Sequence, residues 1–334
     1  METRLESNRR ERICLLLALV MGVGLWLGPA AAESQEAKFP TRAVELVVPW
    51  APGGSMDLVS RVMAEYLPQE LKVQVVVKNQ AGAGGMTGTG SYLRMKPDGY
   101  SIVTGNAASL ISSIQLTRNP PYDPKKDLLS LGYIGEVSYV ISVPKSSPFN
   151  SIDEFVQYAR SNPGKIKGGF SMVGSEAHLG FLSIIRDAKI DVKQVVFTGA
   201  AETTSALLGG HVDWVMKSVP SSMPQIRSGD AKPLLQTRKT PDLPNVPTGV
   251  EKGFPNFNIN MWAALFVNSQ TPKPVYDRLV SAVEATVKKP EVAKKLENIG
   301  FIVEYKNPGV CSAFIEKERS ATALMIKEAG MKVN

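Results

Sequence analysis

Two stretches in different halves of the chain share one design: "ELVVPWAPGGSMDLVSRVM" (45–63) and "KIKGGFSMVGSEAHLGFLSII" (165–185). Each reads as a strand, a loop of small residues and an amphipathic helix. A chain that repeats this unit builds strand layers covered by helices, because each helix packs back on the sheet its strand has just left. Glycine and serine at the start of a helix leave backbone N–H groups bare at the positive end of its dipole, a place that attracts anions. Such loops sit at the carboxyl ends of strands, where open α/β sheets take their ligands. Two of them on facing sheets rim a cleft with donors. Trp50, Gly53, Gly54, Ser55, Met56 and Asp57 of the first loop are therefore candidate ligand residues, as are Met172, Val173, Gly174, Ser175 and His178 of the second. Ser55 and Ser175 stand where a side-chain cap is expected. Asp57 has two readings: a first-turn acid that serves the helix dipole, or an acceptor aimed into the cleft.

The rest of the chain keeps the alternation. Strands are expected over 44–50, 73–79, 100–106, 139–143, 165–171, 194–198, 212–216 and 233–237. Helical spacing follows from residue 55, through 91–95, after the capping box Ser151–Glu154, over 175–188, and over 202–210 with Gly209 as its stop. The tail is helical over 274–289, 291–299 and about 309–329. This pattern predicts an α/β fold of doubly wound parallel sheets.

The N-terminus carries Arg9, Arg10 and Arg12, then the apolar run Ile13–Leu27 and the small residues Ala30–Ala32. Together these read as a secretory signal peptide (1–32) cleaved near Ala32, with ordinary export favoured over the twin-arginine route. Cys14 lies inside that segment, so the mature chain keeps Cys311 alone and has no disulfide framework. The net charge of +7 is spread along the chain rather than clustered with aromatics, which argues against nucleic acid and suits an anionic ligand. With only His178 and His211, no metal site is expected. The glycine-rich stretch 82–90 fails the dinucleotide fingerprint, since Thr87 stands where a third glycine belongs, and it reads as tight turns; no cofactor is expected. "GFSMV" (169–173) misses the nucleophile elbow at Val173, leaving a secreted serine hydrolase using Ser171 or Ser175 with His178 as the alternative. Lys217 ends a strand and reads either as a solvated lysine or as the partner of a second ligand carboxylate. Trp50, Met56 and Met172 read as apolar cleft walls or plain core.

In order, "VVPWAPGGSMDLVSRVMA", "VVVKNQAGAGGMTGTG", "KPDGYS", "YDPKKDL", "NPGKIK", "GSEAHL", "LLGGHVD", "DLPNVPT" and "PEVAKKLENIGF" resemble the Bug family. These are periplasmic solute-binding proteins of tripartite tricarboxylate transporters, and the resemblance spans essentially the whole mature chain. It implies a type II periplasmic-binding-protein-like fold: two α/β domains, 38–138 with 243–334 and 139–242, joined by crossing strands and closing on a small carboxylate. It also implies that the two loops hold the ligand carboxylate largely through ordered water. Segments matching Asn106–Ser109, Thr198–Ala201 and Asp213–Ser218 would line the pocket, which adds Asn106, Ser109, Thr198, Gly199, Ala200, Asp213 and Lys217 to the candidates. The chain departs from the family in "SMVGSEAHL" and at Lys217, where a small or acidic residue is usual. The expected partners are a small organic acid and membrane permease subunits, with the protein itself a monomer; a ligand-presenting sensor of the same fold is a further alternative. N-terminal sequencing of the exported protein is expected to begin near Glu33, and a soluble cytoplasmic form retaining Met1 would count against the export signal.

Overall fold

The computed structural model describes residues 39–328 with Gly330 and Met331; the export signal read at 1–32 lies outside the described residues. From Val44 the chain lays down β1 (Val44–Val48), α1 (Ser55–Leu71), β2 (Val75–Asn79), α2 (Met86–Leu93) and β3 (Ser101–Gly105). β1 pairs in parallel with both β2 and β3. Four of its five residues are buried, which is why "VELVV" reads as an apolar run rather than an alternation. A π-helical turn (Ala108–Ser112) runs on into the short helix Ser113–Gln115. β4 (Leu128–Val137) follows and passes through the single residue Ser138 into β5 (Tyr139–Pro144). Here the chain changes sheets.

The second sheet is built from α3 (Ile152–Ser161), β6 (Lys167–Ser171), α4 (Glu176–Ala188), β7 (Lys193–Phe197), α5 (Ala200–Leu208), β8 (Trp214–Ser218), α6 (Val219–Arg227) and β9 (Ala231–Gln236). The chain then returns through β10 (Met261–Asn268), α7 (Lys273–Val287), α8 (Pro290–Asn298), β11 (Ile302–Lys306) and α9 (Pro308–Glu328). The strand order is β11-β4-β10-β3-β1-β2 in the first sheet and β7-β6-β8-β5-β9 in the second. Both sheets lie within the unit that begins at Arg42.

The architecture is α/β with helices on two sheets, but the sheets are mixed and not parallel throughout. β10 runs antiparallel to β3 and to β4, and β4 antiparallel to β11. β5 runs antiparallel to both β8 and β9. The crossings account for part of this: β5, continuing β4 through Ser138, and β10, on which the chain returns to the first sheet, each run against their neighbours. β4 is hard to see in the sequence: "LLSLGYIGEV" carries Gly132 and Gly135, weak strand formers, and its pairing with β10 slips register twice.

The core of the second sheet shows how closely the layers meet. Phe181 of α4 stacks on Trp214 of β8 at 4.4 Å with ring planes 1° apart. Gly168 on β6 lets both rings pass: a Cβ there would lie 2.4 Å from Phe181 Cε2 and 2.5 Å from Trp214 Cε2. Overpacking of this kind costs about 1–3 kcal/mol. Gly168→Ala is therefore expected to lower the unfolding free energy by that amount, read as a lower denaturant midpoint at unchanged slope, and an unaltered midpoint would mean that the aromatic pair is not tightly held.

Candidate functional site

The first loop is organised by Asp57. Gly54 precedes the helix in extended conformation without a side-chain cap, and Ser55 is already the first helical residue, so the expected Ser55 cap is not formed. Asp57, inside the first turn, reaches back to tie down the loop before the helix. It is 1% exposed, and its carboxylate accepts from the Gly53 N–H at 2.8 Å, Arg61 Nε at 2.8 Å and Asn79 Nδ2 at 2.9 Å. Asn79 Nδ2 also donates to the Trp50 carbonyl at 3.0 Å. Burial works against the charge, but the hydrogen bonds from Arg61, Gly53 and Asn79 outweigh it and hold the carboxyl below its ordinary range. Asp57 thus spends its oxygens on the loop. Gly53, at φ 84°, and Gly54 remain exposed, while Met56 is buried.

Ser175 does cap its helix: Oγ accepts from the His178 N–H at 3.2 Å and donates to the Ser171 carbonyl at 2.6 Å. His178 Nδ1 accepts from the Gly174 N–H at 3.0 Å, and the ring stacks on Phe170 at 4.3 Å. The Ser175 hydroxyl proton is therefore committed to a carbonyl and the imidazole to a backbone amide. Among the described residues no hydrogen bond joins the imidazole to a serine hydroxyl, so the nucleophile–base pair of a hydrolase is not assembled. Met172, at φ 55°, and Val173 are 50% and 61% exposed and project from the loop that these bonds hold.

That loop forms one side of a cavity of about 470 Å³. Met172, Val173, Gly174 and Ser175 line it together with Met331, and Ala83, Gly84, Met86, Ala108, Ser113, Leu116 and Thr117 line it from the first sheet's loops. The glycine-rich stretch read as tight turns is indeed tightly turned: Gly84 has φ 62°, and a Cβ on it would lie 2.2 Å from Ser113 Oγ. The same stretch also forms a cavity wall, which sequence reasoning missed. The available signal was Met86, an apolar side chain directly after four residues too small to fill space. Ala108 opens the π-turn and Ser113 follows it, an irregularity often found at working sites.

The structure brings together only part of the candidate set. Asn106 and Ser109 are buried beside this wall and satisfy each other, Ser109 N–H donating to Asn106 Oδ1 at 3.2 Å. Trp50 packs against Gly85, behind Gly84. Thr198 is tied to Glu202 through both its N–H and its hydroxyl, and Gly199 and Ala200 open α5 outside the cavity lining. Asp213 caps the opposite end of the sheet, accepting from the Lys167 N–H at 2.7 Å. It lies five residues before Ser218, about 16 Å along an extended strand. Lys217 is 6% exposed, its ammonium bonded to Thr204 Oγ1 and to the Ser221 carbonyl at 2.9 Å, and burial pushes it down to about 8.

The family model described as "Tripartite tricarboxylate transporter family receptor" matches residues 59–331. The chain is 27% identical to Protein BugT of Bordetella pertussis over 320 residues, covering 95% of this chain and 98% of that protein. It is similar to the structure of the periplasmic binding protein BugD, at 31% identity and a TM-score of 0.75, covering 88% of this chain and 99% of BugD. R. palustris Rpa4515 with adipate matches at 28% identity and a TM-score of 0.78, covering 87% and 98%.

Two titratable groups are buried behind the cavity wall with opposite consequences. Burial pushes Glu176 up to about 7, and Glu318 beside it acts in the same direction, against hydrogen bonds from its own N–H and that of Ala108. Burial pushes His178 down to about 4, against a hydrogen bond with Gln194. The folded protein holds the Glu176 proton where the unfolded chain has lost it, so this contribution is full below 4.5 and vanishes as pH rises through about 7. The His178 contribution is full above 6.5 and is lost as pH falls towards about 4. Each is worth about 3 kcal/mol over its window, and between 4.5 and 6.5 the slopes oppose. Glu176→Gln is expected to make stability rise with pH across that window, and His178→Asn to make it fall. Urea melts at stepped pH read both slopes, and equal slopes in the two variants would contradict the assignment.

Proposed function

The chain belongs to the tripartite tricarboxylate transporter receptor family, and from that premise we propose that it is a periplasmic solute-binding protein that captures a small organic carboxylate and presents it to membrane permease subunits. The observation that carries this reading is the cavity walled on one side by the loop after β6 and on the other by the first sheet's loops. It falls in the size range of small-molecule sites. The start of α4 supplies the positive end of a thirteen-residue helix to one wall. The adipate named with Rpa4515 is a carboxylate of the class expected here.

In this reading the segments 38–138 with 243–334 form one lobe and 139–242 the other. The ligand draws them together because each lobe contributes only part of its contacts. The receptor acts as a monomer, exported through the N-terminal signal. No catalysis is involved, since capture and release require only differential affinity between open and closed forms.

A thermal-shift screen of organic acids against neutral sugars tests the ligand class, and small-angle scattering with a saturating hit tests closure. Carboxylates are expected to raise Tm and to reduce the radius of gyration. A sugar that stabilises the protein while every carboxylate fails would overturn the reading. Superimposable scattering curves with and without ligand would remove closure from it.

A further inference from the structure

We propose that the ligand has a single carboxylate on an apolar body, an aliphatic or aryl acid rather than a polycarboxylate or a hydroxy acid; this rests on the carboxylate-capture reading above. The cavity's walls carry the argument. Met172, Val173 and Met331 face it from one side and Met86 and Leu116 from the other, and no acidic or basic side chain is among its lining residues. Met172 and Val173 are half exposed or more although apolar, and their backbone is fixed: the Met172 N–H donates to the Phe197 carbonyl at 3.0 Å and the Ser175 N–H to the Met172 carbonyl at 3.3 Å. Large apolar side chains held towards open space by a rigid loop await an apolar surface. Methionine suits this role, being polarizable and adaptable to tails of different outline.

Of the three hydroxyls on the wall only that of Ser113 is not spent on a carbonyl, and none of the lining side chains is charged, so a second anion finds no counter-charge. The Thr117 hydroxyl donates to the Ser113 carbonyl at 2.7 Å and the Ser175 hydroxyl to the Ser171 carbonyl at 2.6 Å. The Val173 N–H has no partner among the described residues and lies at the α4 end, where one carboxylate is favoured. The Lys217 ammonium, expected as a second anchor, is engaged by Thr204 and Ser221 and is not part of the wall. A second carboxylate would lose its water against methionine and leucine with no charge to compensate it.

Calorimetry at pH 7.5 with butyrate, pentanoate, hexanoate and heptanoate, and with pimelate matched to heptanoate in length, tests the proposal. Affinity is expected to rise about threefold to fourfold per CH₂ along the monoacid series. Heptanoate should exceed pimelate by tenfold or more. Met172→Ser and Val173→Ser, both at exposed positions, should flatten the series, with an unaltered Tm of the unliganded variants showing that the fold is kept. A series already flat in the unaltered protein, or pimelate binding as tightly as heptanoate, would overturn the apolar-body inference and leave carboxylate capture standing. Failure of every acid, with a neutral solute binding instead, would overturn both.

Discussion

The structure depends on one buried polar cluster where the chain crosses between sheets. Glu136, at the end of β4, is 7% exposed. Its carboxylate accepts from the Tyr133 hydroxyl at 2.9 Å, from Asn260 Nδ2 at 3.3 Å and from Arg238, with which it pairs. One residue on from β4, the Ser138 hydroxyl donates to the Arg238 carbonyl at 2.9 Å, and the Tyr139 N–H donates to Thr237 Oγ1 at 2.9 Å. Thr237 in turn donates to Asn260 at 2.6 Å. Outgoing strand (136–139), returning strand (236–238) and the approach to β10 (260) are thus tied to one another by side chains. Removing any one partner would leave a desolvated polar group behind, so the cluster fixes how the strands cross more than it adds net stability.

Once the crossing is fixed, the loops at the sheet ends have little freedom over what they face. The loop after β6 meets the π-turn and the glycine-rich stretch: Gly174 lies against Leu116, where a Cβ would come within 2.7 Å, and Glu176 accepts from the Ala108 N–H. Both cavity walls are held from within, one by Ser175 and His178, the other by the Asn106–Ser109 pair and by Tyr122, whose hydroxyl donates to the Ser109 carbonyl at 2.6 Å. Walls braced in this way lose little freedom when a ligand arrives, which conserves binding energy for the ligand itself.

Local rules account for what the sequence made legible. The Ser151 cap, the Ser175 cap and the three tail helices rest on spacing and side chains within one turn, and the structure reproduces them within a few residues. β4, β10 and β11 were not legible, because their pairing is antiparallel and brings together residues more than a hundred positions apart. Asp57 shows the limit at the level of the site. An acid in a first turn has one appearance in sequence whether it faces a ligand or its own loop, and the bonds that decide between them include one from Asn79, which arrives from the next strand. The missed wall has the same cause: Met86 and Leu116 meet Met172 only through the crossing of the sheets.

Lys217 completes the account of charge. Its ammonium is buried against a hydroxyl and a carbonyl, a placement that ties α5 and α6 to β8 and depresses its proton affinity while leaving it charged at neutral pH. It sits at the carboxyl end of β8, the end at which parallel β6 delivers its loop to the cavity. With its donors taken by Thr204 and Ser221, the ammonium serves the packing of the helices on β8 and offers none to a ligand. On the carboxylate-capture reading proposed above, the anion is met by the start of α4 and the body of the ligand by the methionine-lined walls, with Lys217 left to hold the helices behind them.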